Sequence, residues 1–274
     1  MIRIIGVGDN TVDTYIHLKK RFPGGNALNV AVLARRYGAD TAYLGCVGND
    51  DRGRLILEAL QREGVDTSHC RVIEGVPTAY SEVMVFEGDR VFGKSEHGAS
   101  ALLTLTEEDL AYIATFDLVH TSVYSNLESQ LENIRGRVRY ISFDLSQNLK
   151  EDYWYQVLPF VDIAFVSLSE VPPVDLERYL YKLSSFGPTW IVATRGAQGA
   201  WLYAGHTIYH QPSVPVEVVD TLGAGDAFAA RFLVDFLAGV PLNLAMENAA
   251  RAAAENCTHF GAFGYGQPYD ITQT

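Results

Sequence analysis

Three glycine-bearing segments of this chain could do chemistry. In Asp220-Thr221-Leu222-Gly223-Ala224-Gly225-Asp226, small residues lead into the helix-forming run Ala227 to Leu237. A helix opened by Gly-Ala-Gly presents backbone N–H groups and the positive end of its dipole, which together suit an anion. Asp226 stands where that anion would react. A carboxylate beside an anion nest makes chemical sense if it takes a proton from a hydroxyl that attacks a phosphoryl group. The lysine-bearing phosphate loop G-x-x-x-x-G-K-[ST] is absent, so any nucleotide must be held another way.

The second segment is Phe22-Pro23-Gly24-Gly25-Asn26-Ala27-Leu28-Asn29. Paired glycines running into a helix let a ligand approach the backbone, and Asn29 falls one turn inside on the same side as Gly25. A helix opened by Gly-Gly-Asn for capping alone looks the same. The third, Gly6-Val7-Gly8, invites a dinucleotide reading that fails at the next step. The fingerprint needs a glycine at position 11, where this chain has Thr11, and the Asp9 carboxylate would repel a pyrophosphate. The polar run Asp9-Asn10-Thr11-Val12-Asp13 is better suited to sugar hydroxyls, the alternative being that Asp9 and Asp13 are loop and cap residues.

Short β-branched runs alternating with helix-period segments must position these groups. Strands are expected at 2–7, 41–47, 118–123, 140–144, 163–167 and 190–194, and helices at 26–37 and 51–63, the latter closed by Gly64. That rhythm predicts an α/β fold with a mostly parallel sheet covered by helices on both faces. One segment breaks it: 78–86 alternates with the strand period, Glu87-Gly88-Asp89 turns, and 90–92 resumes, which reads as an inserted hairpin. Thr106-Glu107-Glu108-Asp109 then has the form of a capping box opening a helix through Ile113.

The 274 residues are 48% apolar and 20% charged, enough for one domain that needs no disulfide or metal staple. The formal charge is −12, without a basic cluster longer than Lys19-Lys20-Arg21, so no nucleic-acid partner is expected. Cys46, Cys70 and Cys257 form no C-x-x-C pair, and the histidines show no paired ligand spacing. The start, MIRIIGVGD, does not read as a signal peptide, and no apolar stretch approaches about 18 residues. A soluble, cytoplasmic protein is expected, with no membrane partner.

Gly24-Gly25-Asn26-Ala27-Leu28-Asn29-Val30-Ala31 and Asp220 to Phe228 resemble the two signatures of the ribokinase-like (PfkB) carbohydrate kinases, and Thr194-Arg195-Gly196-Ala197-Gln198-Gly199 resembles that family's nucleotide loop, T-x-G-x-x-G. GDNTVDTY, FPGGNALNVAVLARRYG and DRVFG look most like the fructoselysine 6-kinase branch. The resemblance implies a ribokinase-like domain over residues 1–274, with a β lid from segments near 10–22 and 75–98 that could join two subunits. It implies phosphoryl transfer from ATP with Mg2+ to a hydroxyl of a ketose-derived sugar. The substrate expected is fructoselysine. Another kinase of the family (fructokinase, ribokinase or nucleoside kinase) and a non-catalytic sugar or nucleotide sensor are the alternatives. By the same resemblance Asp226 matches the catalytic base, and Gly223, Ala224 and Gly225 match the anion hole. Asp9, Asp13, Gly24, Gly25 and Asn29 would meet the sugar, and Thr194, Gly196 and Gly199 the nucleotide. Glu170 would organise the metal, and Asp220 matches a position that often helps hold K+. Two positions depart from the pattern: Ser167 replaces the amide of N-x-x-E, and Arg231 replaces a glycine after Asp226.

Overall fold

Successive strand residues point to opposite faces of a sheet, and in the first strand both faces are dry: Ile4 packs into one apolar layer and Ile5 into the other. This is seen in a computed structural model that describes residues 1–86 and 89–269, apart from the side chains of 85, 86 and 89–92. Strand β1 (Arg3–Val7) is followed by the antiparallel pair β2 (Thr11–Tyr15) and β3 (Lys20–Gly24) and by helix α1 (Asn26–Arg36). Next come β4 (Asp40–Leu44), β5 (Cys46–Gly48), α2 (Asp51–Glu63), β6 (Arg71–Ile73), β7 (Tyr80–Phe86) and β8 (Asp89–Glu96). Helices and strands then alternate through α3 (Glu107–Ile113), β9 (Leu118–Ser122), α4 (Leu131–Ile134), β10 (Tyr140–Asp144), α5 (Glu151–Val157), β11 (Ile163–Ser167), α6 (Leu176–Ser184) and β12 (Trp190–Thr194). The hairpin β13 (Ala200–Ala204) and β14 (Thr207–Gln211), helices α7 (Ala224–Leu237) and α8 (Leu242–Asn256), and the short β15 (Gln267–Pro268) complete the described chain.

The main sheet runs β14-β13-β12-β11-β10-β9-β1-β4, parallel except for the antiparallel edge made by β13 and β14. One apolar layer holds residues of α1, α2, α7 and α8, and the other holds residues of α3 to α6, so the expected two-faced α/β fold is observed. The single strand expected over 41–47 is instead two. Tyr43 and Leu44 pair with β1, whereas Cys46 and Val47 change partner and pair with β6. The capping box is formed as expected: Asp109 N–H donates to the Thr106 hydroxyl, and Thr106 N–H donates to the Asp109 carboxylate.

The hairpin is present as β7 and β8, its second strand running on to Glu96. Glu87 and Gly88 of the expected turn lie outside the described residues. It does not stand alone. With β2, β3 and β15 it makes a second, five-stranded sheet in the order β15-β3-β2-β7-β8, packed over a small core of Tyr15, Phe22 and Val83.

Arg231 neither points outward nor disturbs the packing of α7. Its guanidinium grips the buried Asp235 carboxylate one turn along, at 2.7 and 3.1 Å, and lies 5.5 Å from the Tyr37 ring of α1. Asn248 of α8 donates to the same carboxylate at 2.7 Å, so α7 and α8 meet on one charge. Arg231→Ala leaves that carboxylate with one fewer charged partner and is expected to cost about 1–3 kcal/mol of stability, read as a lowered midpoint of thermal unfolding. An unchanged midpoint would show that Asn248 suffices.

Candidate active site

The carboxyl ends of β1, β10, β11 and β12 and the N-termini of α1 and α7 open onto one cavity of about 1180 Å³, roofed by Asp13, Tyr80, Ser81, Ser95 and Glu96 of the second sheet. In an open parallel sheet the strand ends are where ligands are met. Asp226 occupies the first turn of α7, after Gly223 at the left-handed φ of +79°, which a glycine adopts without strain. The first-turn N–H groups have no acceptor within the helix. Gly223, Ala224, Gly225 and Asp226 all line the cavity, and a methyl added at Gly225 would meet nothing within 4 Å. The space beside Gly225 is therefore open to a ligand.

Two amides of α1 orient Asp226. Asn29 Nδ2 donates to one carboxylate oxygen at 2.6 Å and Asn26 Nδ2 to the other at 2.8 Å. Asn26 also donates to Asp144 at the end of β10, at 2.8 Å. Burial pushes the Asp226 carboxyl up to about 7, the negative charges of Asp144 and Asp9 push the same way, and the two amides oppose. Burial likewise raises Asp144, to about 6. A carboxyl so poised can take up a proton near neutral pH.

Asp9 is committed to the protein. Its carboxylate accepts from the N–H groups of Asn26 and Ala27 at 2.5 and 3.2 Å, and from the Ser122 and Ser125 hydroxyls at 2.8 Å each. It therefore caps α1 and pins the turn after β9, the cap role that the sequence left open. Asn29 and Asn10 differ: each lines the cavity with a buried side-chain oxygen that has no partner among the described residues, fit to accept from a ligand hydroxyl. Asp13 and Gly25 also line the cavity, as do Thr194, Gly196 and Gly199 at its other end. The cavity also has an apolar lining of Val214, Pro215, Val216 and Val218 together with Ala250 and Ala253 of α8, which suits a flat aromatic ring.

Three sequence candidates are not among the cavity-lining residues. Gly24 lies behind Asp13, and a side chain there would strike that carboxylate. Asp220 is buried and accepts from the Tyr15 hydroxyl at 2.5 Å and from Leu222 and Gly261 N–H at 3.0 Å each, bracing the loop before α7 against β2. Glu170 is exposed in the turn after β11, while Ser167 and Ser169 line the cavity. Among the described residues no group of three His, Cys, Asp or Glu side chains is arranged to hold a metal ion. Asn26, His120 and Asp144 escaped the sequence reading. Asp144 had a signal, since it closes a strand at the end of the sheet that bears ligands.

The chain matches the family described as pfkB family carbohydrate kinase over residues 1–265. It is similar to fructosamine kinase FrlD of Bacillus subtilis (strain 168), 41% identical over 273 residues that cover 98% of this chain and 96% of that protein. It is also similar to fructoselysine 6-kinase of Escherichia coli (strain K12), 36% identical over 260 residues, covering 94% and 98% of the two chains. The ribokinase of Arabidopsis thaliana, solved with ribose and ATP, shares the fold with a TM-score of 0.84, 21% identity and coverage of 96% and 95%. No helix of the described residues is long and apolar enough to cross a membrane.

A raised carboxyl binds more protons folded than unfolded, so between the unfolded value and about 7 the Asp226 contribution weakens folding as pH rises. Asp226→Asn is expected to raise the thermal midpoint relative to the parent at pH 8, with a smaller gain at pH 4.5, where the parent carboxyl is already neutral when folded. A midpoint difference that is the same at both pH values would mean that Asp226 is not held protonated by its surroundings.

Proposed function

The chain belongs to the pfkB family of carbohydrate kinases, and from that premise we propose that it moves the γ-phosphoryl group of ATP to the 6-hydroxyl of fructoselysine or a closely related fructosamine. The observation that carries the substrate is the charge of the cavity. Asp9, Asp13, Glu96, Asp144 and Asp226 line it, and no described lining residue is lysine or arginine. A neutral ketose gains nothing from that field, whereas the secondary ammonium of a fructosamine is drawn in and stabilised by it.

In the proposed reaction Asp226 accepts the proton of the sugar hydroxyl as its oxygen bonds to the γ-phosphorus and the bond to the β-phosphate oxygen breaks, leaving ADP. Gly223 and Gly225 offer N–H groups to the transferring phosphoryl group, whereas the Ala224 N–H matched to the anion hole donates to the Thr221 carbonyl at 3.3 Å; Gly225 leaves the group room. Asp13, Gly25, Asn29 and Asn10 hold the sugar; Thr194, Gly196, Gly199 and the apolar wall hold the nucleotide. Without a cage of three carboxylates among the described residues, Mg2+ would be held mainly by the phosphates and water, with Glu170 as the carboxylate that matches the expected motif, and would supply charge neutralisation. The K+ role implied for Asp220 does not fit its three bracing hydrogen bonds, and we assign it to holding the loop.

The five-stranded sheet is read as the lid of a single kinase domain, with Thr11–Gly24 and Tyr80–Glu96 as its main segments. Its edge strand β8 is the place for a second subunit's lid, and three cysteines without a C-x-x-C pair suit a cytoplasmic home.

A coupled ADP assay should give fructoselysine a higher kcat/KM than fructose or ribose. A free-sugar preference of about tenfold, roughly 1.4 kcal/mol of transition-state binding, would overturn the substrate while leaving the family in place.

Asp226→Asn should bind sugar and ATP within a few-fold of the parent by calorimetry and lose about 10²- to 10⁴-fold in kcat. Normal binding with kcat within threefold of the parent would remove Asp226 from the role of base. Collapse of binding itself would make it a positioning group instead.

A further inference from the structure

Asn26 connects two carboxylates through a single amide. Its Nδ2 donates to Asp226 Oδ1 and to Asp144 Oδ2, each at 2.8 Å. Its Oδ1 lies 2.9 Å from His120 Nε2, and His120 Nδ1 lies 2.9 Å from the Ser142 hydroxyl. An amide oxygen only accepts, so the imidazole proton belongs on Nε2 and Ser142 donates to Nδ1. Turning the amide over would set its oxygen against both carboxylates and its NH2 against the imidazole N–H. The chain from Ser142 to Asp226 thus has one orientation.

Asp144 fills the remaining place. It ends β10, lines the cavity, and accepts the Ser146 N–H at 2.7 Å with the oxygen that Asn26 does not use. We propose that Asp144 is a positioning residue for phosphoryl transfer, sharing the Asn26 amide with Asp226 so that the base is fixed in direction and holds more firmly the proton it takes from the sugar. This rests on the reading of Asp226 as the base.

The groups around Asp226 agree with that arrangement. Asp9 faces it from the loop after β1, the Tyr124 hydroxyl from the loop after β9, and Asn26 and Asn29 from α1. Burial pushes His120 down to about 3, so its ring is neutral and the charge that changes near neutral pH lies on the carboxyls. Asp144 adds to Asp226 a repulsion that favours its protonated form.

The test is Asp144→Asn, with Asp144→Ser as a second variant in case the first does not fold. The readouts are the pH profile of kcat, KM for both substrates, and titration of the Asp226 carboxyl followed by carbon-13 NMR. Removing the negative neighbour should move the acidic limb, and the NMR midpoint with it, to lower pH by roughly 0.5–1 unit. The plateau kcat should fall about three- to tenfold while KM stays within threefold. An unmoved limb and midpoint would overturn the inference, whether KM rises tenfold, which would make Asp144 a sugar ligand, or stays put. If Asp226→Asn keeps its turnover, the reading of the base fails instead, and the two failures are told apart by which variant gives the unexpected profile.

Discussion

Like charges withdrawn from water repel one another strongly, and this protein gathers Asp9, Asp144 and Asp226 at one buried place without a lysine or arginine among the described residues that line it. What holds them is neutral: backbone N–H groups, two asparagine amides and two serine hydroxyls. A lysine or arginine paired directly with Asp226 would relieve the repulsion and, by the same stroke, leave Asp226 a weak acceptor of protons. The first turn of α1 is the element on which this depends. Its N–H groups satisfy Asp9, its Asn26 side chain spans Asp144 and Asp226, and Asn29 one turn on takes the other oxygen of Asp226.

That turn must meet the start of α7 closely, which explains the composition of the two helices. The buried positions of α1 and α7 carry Ala27, Ala31 and Ala34 and Ala227, Ala229 and Ala230, small enough for backbones to approach. Arg231 brings a long charged side chain to α7, and it is accommodated because Asp235 pairs with it while Asn248 donates to the same carboxylate. A departure from the family's glycine is thus absorbed by a local ion pair, between one and two turns along α7 from Asp226.

Much of this was readable beforehand, where local pattern and tertiary role coincide. The strands at Tyr140–Asp144, Ile163–Ser167 and Trp190–Thr194 were expected residue for residue because buried parallel strands are short apolar runs with polar ends. Gly223 to Asp226 was legible because few helices open on glycines followed by a carboxylate. What was not legible depends on distant partners. Asp9 reads as a sugar ligand until its four donors are seen, and two of those, Ser122 and Ser125, lie more than a hundred residues away. The strand over 41–47 looked continuous because a change of pairing partner leaves no mark on hydrophobicity. Helix α8 passed unnoticed because its periodic residues are mainly alanines, whose weak apolar signal hides a well-buried face.

The order in which the parts of the site occur along the chain carries a consequence for its biogenesis. Strand β3 and helix α1 leave a ribosome well before their partners: α7 brings the carboxylate that Asn29 holds 197 residues after Asn29 itself, and β15, which pairs with β3, comes later still, and contacts of such long range slow folding. A nascent chain therefore presents Asn29 without the carboxylate it holds, and the site stays inert until α7 has emerged. Premature termination between the end of β14 and Asp226 would leave every strand of the main sheet in the chain and no acceptor for the proton.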